Sequence, residues 1–360
     1  MARMRRKFTI IFLIWLVGIS DCLDVDDVSD IKTAKKSELI SLKTFEVPAG
    51  VTLELTNLLP GTVVEFDGIL TFGYCEWTGP LIKISGVNVS VVGKPGNLIN
   101  CEGERWWDGL GTNGGKFKPK FFEMTLNDST VTGLNVKNSP AHVFSIRDCS
   151  NVNVTHVKID NSEGDVKGGH NTDGFDVNSQ NVRISNCWVH NQDDCLAINM
   201  GSDVVFEDTV CIGGHGISIG SIGFRPNNIV ERVTVKHCEV INSTNGIRIK
   251  TKTNATGWVN DVTYEDVLLK NVSQYGILIH GNYQNRVGNM KEDPTPGVPI
   301  TNLKVSNVRG TVDPMGTNVY VALANASNWT WTNIEVSGGS MESTCQGIPI
   351  EVNTEICRQK

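Results

Sequence analysis

Beyond residue 40 the chain is patterned in short β-branched runs set between glycine and asparagine punctuation. Val87–Val92, Thr130–Val136, Asn151–Ile159, Asn181–Val189, Val204–Cys211, Ile229–Val240, Val259–Leu269, Ile300–Val308 and Trp329–Val336 each alternate apolar and polar positions over the length of a strand. Helical periodicity is confined to residues 25–40, where spaced Val, Ile and Leu among Asp and Lys predict one short helix. With Val131, Val152, Val182, Val204, Val233 and Val262 as markers, the steps are 21, 30, 22, 29 and 29 residues. Several short strands in every 20–30 residues signal a solenoid. The leucine framework and the 3.6 period of other repeats are missing, which leaves an all-β, right-handed parallel β-helix. A sandwich is the alternative, but its turn signals come every 8–12 residues without a longer superperiod.

A solenoid must cover its open ends. The 25–40 segment is the expected N-terminal capping helix, and the tail between Cys345 and Cys357 is the expected cap at the other end. No linker divides the chain, so residues 21–360 are expected to form a single domain. Residues 1–20 read differently. Arg3, Arg5, Arg6 and Lys7 precede an apolar run, Phe8–Val17, and Gly18 and Ser20 take the small-residue positions of a cleavage site. This is the pattern of a secretory signal peptide. The apolar run is too short to span a bilayer, which disfavours a signal anchor.

Composition narrows the function. Gly at 36 and Asn at 34 of 360 residues favour many tight turns, because both tolerate positive φ. The net charge of −7 becomes about −11 once four leader cations are removed, which argues against nucleic acid as a partner. Ten cysteines without any Cys-x-x-Cys, together with eight Asn-x-Ser/Thr sequons, suit a disulfide-containing extracellular glycoprotein.

Candidate chemistry lies in the polar middle of the chain: Asn171-Thr172-Asp173, Gln192-Asp193-Asp194, Gly214-His215-Gly216 and Arg248-Ile249-Lys250. The successive intervals, Asp173 to Asp193, Asp193 to His215 and His215 to Arg248, are 20, 22 and 33 residues. In a β-helix one period is one step of about 4.7–4.9 Å up the stack. The repeat therefore places these side chains on one face across about four coils, with Arg248 and Lys250 pointing the same way at i and i+2. Three carboxylates beside a histidine suit glycosidic hydrolysis, in which one carboxyl must be protonated and another ionised. The cations suit an acidic sugar. Taken singly, an Asp-Asp pair is ordinary turn chemistry. A divalent metal held by Asp173, Asp176, Asp193, Asp194 and His215 is the rival reading, opposed by the nearby cations. Trp106 and Trp107 are read as packing rather than as a sugar platform. His170 and Asn171 are read as shaping the turn before Asp173, and Tyr283, 35 residues beyond Arg248, as a further candidate for the same face.

These four motifs, in this order, resemble the polygalacturonases of glycoside hydrolase family 28. The resemblance runs from Glu46-Val47-Pro48-Ala49-Gly50 through Arg105-Trp106-Trp107-Asp108-Gly109 and Lys118-Pro119-Lys120-Phe121-Phe122 to Cys357. The stretches Gly168–Asp176 and His215–Gly220 look like the fungal endo-acting type. The resemblance implies inverting hydrolysis of α-1,4 linkages between galacturonic acids in de-esterified pectin, without a cofactor or metal. It implies Asp193 as general acid, Asp173 and Asp194 as holders of the water, and His215 beside the acid. Asn171 would shape the site, Arg248 and Lys250 would bind galacturonate carboxylates, and Tyr283 would serve the leaving side.

It also implies disulfides Cys195–Cys211 and Cys345–Cys357, leaving Cys22, Cys75, Cys101, Cys149, Cys187 and Cys238 without assigned partners. Met200, where Ser is usual, and Gly281-Asn282, where Gln-Asp is usual, depart from the family pattern. The expected molecule is a secreted monomer acting on pectin, with no nucleic-acid or membrane partner and a plant proteinaceous inhibitor as a family-level partner. The alternatives are an exo-acting or rhamnogalacturonan-directed relative and a pectin-binding homologue without turnover.

Overall fold

The computed structural model describes residues 22–223, 228–284 and 292–358. The predicted leader, residues 1–20, lies outside them. Every strand pairing among the described residues is parallel. One inward column shows how the coils stack: Phe122, Phe144, Phe175, Leu196, Ile217, Ile247, Ile277 and Val319 pair in successive register. Each of these side chains is at most 1% exposed. Where the column is aromatic, ring centroids lie 5.3 Å (Phe122 to Phe144) and 5.4 Å (Phe144 to Phe175) apart. Burial of each such ring contributes roughly 1.5–3 kcal/mol. This is the parallel β-helix of the sequence reading, with the right-handed sense that parallel crossovers almost always take.

The corners explain the repeat. Asn151, Asn181, Asp203, Arg232, Asp261 and Asn302 each take a single left-handed conformation, with φ of 50–58°. Asn and Asp adopt it at low cost, because their short side chains hydrogen-bond locally. The stacked amides also bond to one another: Asn181 Nδ2 donates to Asn151 Oδ1 (2.6 Å), and Asn151 Nδ2 to Asp128 Oδ1 (2.7 Å). Five of the six valine markers follow such a corner and pair in register. Val131 does not, because its partner is Val154, while Val152 faces Ser129. The first step is therefore Ser129 to Val152, two residues longer than the marker suggested.

A second set of corners, including His156, Asn186 and Asp208, cuts through predicted runs. Asn151–Ile159 divides between strands Phe144–Thr155 and Lys158–Asp160, and Asn181–Val189 divides between Phe175–Ser185 and Trp188–Asn191. One left-handed residue turns the chain without breaking the inward alternation, so the sequence pattern runs straight through it. Strands Ile217–Ile222, Tyr275–Tyr283 and Thr317–Ala322 lie outside the predicted runs, while Asn245–Lys252 is the strand expected under Arg248 and Lys250. Apart from Leu278, Tyr320 and Ala322 their outward faces are polar or glycine-rich, and all but Thr317–Ala322 carry part of the site.

The N-terminal cap is shorter than 25–40. A 3-10 turn, Val28–Asp30, leads into helix Ile31–Ala34, and strands Cys22–Val25 and Leu39–Leu42 flank the pair. In the helix only Ile31 and Ala34 are buried, which gives a longer helix nothing more to cover. At the other end, strand Thr344–Gln346 pairs with Tyr320–Ala322, and Val352 and Ile356 join the core. Cys345–Cys357 closes that tail, with Cα atoms 6.2 Å apart. No helix among the described residues is long and apolar enough to cross a membrane.

Candidate active site

Three consecutive turns on one side of the helix bring the acids together. Gly174 N donates to Asp194 O (2.9 Å), and His215 N donates to Asp193 O (2.9 Å), so each turn hangs on the next. Asn191 lies buried beneath them. Its Nδ2 reaches the carbonyls of Thr172, Asp193 and Asp194 at 2.9–3.0 Å. Gly214, at φ +61°, passes so close that a Cβ there would stand 2.2 Å from the Asp193 carbonyl oxygen. The Cys195–Cys211 disulfide, Cα–Cα 5.8 Å, fastens the Asp193-Asp194 turn to strand Val210–Gly213. Both implied disulfides are therefore present, and the other six cysteines are unpaired.

The side chains form two groups. Asp193 accepts three hydrogen bonds: from Asn171 Nδ2 (2.9 Å), from the Asp194 amide (2.8 Å) and from His215 Nδ1 (3.0 Å). Asn171 is itself held from behind, its Oδ1 accepting from Thr112 N (3.0 Å) and Asn113 Nδ2 (3.1 Å). Asp194 is saturated by cations. Lys250 Nζ is 2.6 Å from Oδ2, Arg248 Nη2 binds Oδ1, and Ser218 Oγ donates to the same oxygen at 2.8 Å. Tyr283 closes this end, its ring 5.3 Å from Lys250 Nζ.

Arg248 and Lys250 do not share the strand position of His215: Ile217 pairs with Ile247 and Ser218 with Arg248, and it is Asn245 whose Nδ2 donates to the His215 carbonyl (3.1 Å). They sit further along the strand, and their length carries them back across two coils to Asp194. Ser218, in register with Arg248, bridges the gap by accepting from Arg248 Nε (2.9 Å).

Burial and neighbouring charge push the two inner acids apart. Burial raises Asp173 well above the ordinary carboxylate range, and the negative charge of Asp193 raises it further. For Asp193 the same burial is outweighed by His215, Lys250 and Arg248, which hold its carboxyl low. Protonation is therefore disfavoured at Asp193 relative to Asp173 in the substrate-free chain. His280, buried beside the cations, is pushed down to about 3 by burial and by Arg248, and stays neutral.

The structure also brings in residues that the sequence reading missed. His142 Nδ1 binds Asp176 Oδ2 and lies 3.5 Å from Asp173 Oδ1. Phe144 pairs with Phe175, so the same register step taken back from Asp173 lands on His142. The repeat interval therefore carries a signal for His142 one coil before the acidic cluster. The residues of the rival metal reading separate into two clusters, Asp173 and Asp176, which His142 joins, and Asp193 with Asp194 and His215. In the second, Arg248 and Lys250 already occupy both oxygens of Asp194. Trp106 and Trp107 pack as expected, at 0% and 6% exposure, with their ring nitrogens bonded to Cys75 O and Ser139 O. Met200 lines a separate groove with Gln180 and Ile229, and Asn282 is buried with Nδ2 on Glu292 O (2.8 Å). Neither departure displaces an acid.

Residues 38–357 match the family described as Glycosyl hydrolases family 28. The chain belongs to this family. Its relatives include Endopolygalacturonase 1 of Colletotrichum lindemuthianum, 48% identical over 92% of this chain and 91% of that protein. Polygalacturonase of Penicillium digitatum is 52% identical over 86% of this chain and 85% of its own length. Among solved structures, endopolygalacturonase I from Stereum purpureum, complexed with two galacturonate, superposes with a TM-score of 0.83 at 36% identity. That match covers 91% of this chain and 98% of the other. The family match spans every coil that carries the site.

Proposed function

We propose that the protein is a secreted endo-polygalacturonase that hydrolyses α-1,4-galacturonosyl linkages of de-esterified homogalacturonan with inversion, after removal of residues 1–20. The observation that carries this reading is the meeting of Asp173, Asp193 and Asp194 with two buried cations, in a family 28 chain about half identical to named endopolygalacturonases. Arg248 and Lys250 receive substrate carboxylates, and Tyr283 lies against the leaving side. Asp193 is the general acid, while Asp173 and Asp194 hold the attacking water, with His215 and Asn171 fixing the acid's orientation.

The free-state electrostatics fit this assignment through the substrate. A galacturonate carboxylate seated on Arg248 and Lys250 adds negative charge where those cations now hold Asp193 low, and so raises Asp193 toward its protonated form. Water activation requires an ionised Asp173, so the substrate-bound site pairs a protonated Asp193 with an ionised Asp173, as inverting hydrolysis needs.

The test is product sizing after brief incubation of the purified protein with polygalacturonic acid, with and without a chelator. Mixed oligogalacturonides with reducing ends and no chelator effect are expected. Monomer alone would replace the endo reading with an exo one. Chelator-sensitive unsaturated ends would make the acidic cluster a lyase site. Retention on pectate without any product would mean binding without turnover.

A further inference from the structure

The register that pairs Phe122 with Phe144 and Phe144 with Phe175 puts Lys120, His142 and Asp173 at one position on three successive coils. His142 is held there from both sides. Its carbonyl accepts from Phe121 N (2.9 Å), and the following amide, Val143 N, donates to Asp173 O (2.8 Å). Its Nδ1 binds Asp176 Oδ2 and lies 3.5 Å from Asp173 Oδ1, a buried oxygen with no hydrogen-bond partner among the described residues. Among the described residues His142 is the only basic side chain within ion-pair distance of Asp173. The other charges facing Asp173 are the carboxylates of Asp193, Asp176 and Asp194. His142 itself faces Asp173, Asp176 and Lys120, and Arg147 lines the same cavity. Asp194 is neutralised by Arg248 and Lys250. Once Asp193 takes up the proton of the general acid, Asp176 remains to oppose ionisation of Asp173, and the ring shared between these two carboxylates decides whether Asp173 ionises.

We infer that His142 is a positioning residue of the hydrolysis, whose imidazolium, clamped by Asp176, holds Asp173 as the ionised base for the attacking water. The inference rests on the polygalacturonate reading, with Asp173 as base. His142 acts through Asp173 and needs no contact with the sugar or the water. Burial opposes the charge on the ring, but Asp173 and Asp176 keep it protonated up to about pH 9. The cation is therefore present throughout the acid range in which a carboxylate base must ionise. An opposite charge this close lowers a carboxyl by roughly 1–3 pH units, which sets how far the base would rise without it. Asp176 has the contrary effect on Asp173 by its own charge, and it fixes the ring that compensates it.

The test is the pH dependence of kcat on polygalacturonate for the parent, His142→Gln and Asp176→Asn. In the substrate complex the acid limb of that profile reports ionisation of the base, and the alkaline limb reports loss of the acid's proton. His142→Gln is expected to move the acid limb up by about one pH unit or more, so that kcat well below the limb falls about tenfold or more against the parent. Asp176→Asn removes a like charge and leaves the ring, so its acid limb is expected to move the other way. An equal loss of kcat at every pH, with the limb within about 0.2 units of the parent's, is what a purely structural role gives and would overturn the proposal. So would a shift in the same direction in both variants. Should His142→Gln fail to fold, the downward shift in Asp176→Asn carries the test, and an unmoved limb there overturns the proposal. A shift of the alkaline limb alone would make Asp173 the acid and refute the assignment of the base. A parent that hydrolyses no polygalacturonate at any pH would refute the polygalacturonase reading, and this role with it.

Discussion

Asp194→Asn isolates the charge balance of the site. Asp194 is 2% exposed and neutralises Arg248 and Lys250, whose side chains are 10% and 7% exposed. Asparagine keeps the shape but leaves two desolvated cations without a counter-charge. Removing one partner of a buried pair costs about 3–5 kcal/mol. A chain of this size unfolds with an entropy near 0.7 kcal/mol/K, so the melting temperature should fall by about 4–7 °C. Oligogalacturonate should then protect the variant more than the parent, because its carboxylates supply the missing charge where Asp194 no longer competes. Thermal melts of both proteins, with and without hexagalacturonate, read this directly. A fall of less than about 1 °C, or equal ligand protection in both proteins, would refute the reasoning, since it would mean that Asp194 does not balance these cations.

Other outcomes follow from the same geometry. Asp193→Asn should lower turnover by about 10²–10⁴-fold, measured as reducing-end release, while pectate binding stays within a few-fold; near-normal turnover would place the acid elsewhere, with Asp173 the next candidate. His142 is raised from 6.5 to about 9: burial opposes the rise, and the Asp173 and Asp176 carboxylates drive it. Its contribution, at most about 3 kcal/mol, is full below pH 6.5 and fades as the pH rises through 9. His142→Gln should flatten the loss of melting temperature between pH 6 and 9.5, and curves parallel to the parent's would contradict the pairing. Opening the Cys195–Cys211 bridge as a double serine variant should cost about 3 kcal/mol for its 16-residue loop. It should also lower kcat, because the bridge anchors the Asp193-Asp194 turn, and an unchanged kcat would show that Asn191 suffices.

The sequence revealed the fold through its outermost regularity. Valines behind left-handed corners keep the coil interval visible even though the corners themselves are spelled Asn, Asp or Arg. It hid the division between sheets, because a corner at His156 or Asn186 leaves the inward alternation in phase. Side chains held by backbone contacts between adjacent turns, such as Asp173, Asp194 and His215, were legible from spacing. Arg248 and Lys250 were found by type and misplaced by position. A long side chain crossing two coils leaves no trace in the interval, and the intervening Ser218 looks like any outward serine. His142 went unread for a different reason: it stands alone, without a motif, one coil before the informative cluster.

The corner amides also bear on how such a protein can change. From Arg232 to Asp261 the coil takes 29 residues, and from Asp261 to Asn302 it takes 41, yet both ends keep the same left-handed turn. Neighbouring coils still pair in register, Val262 with Leu303 as Val233 with Val262. The extra length falls between the end of strand Tyr275–Tyr283 and the start of strand Ile300–Val312. Insertions or deletions between strands leave the core unaltered, so the connections can vary one at a time. Descendants of one scaffold can then diverge in what they grip while inheriting the same acids in the same place.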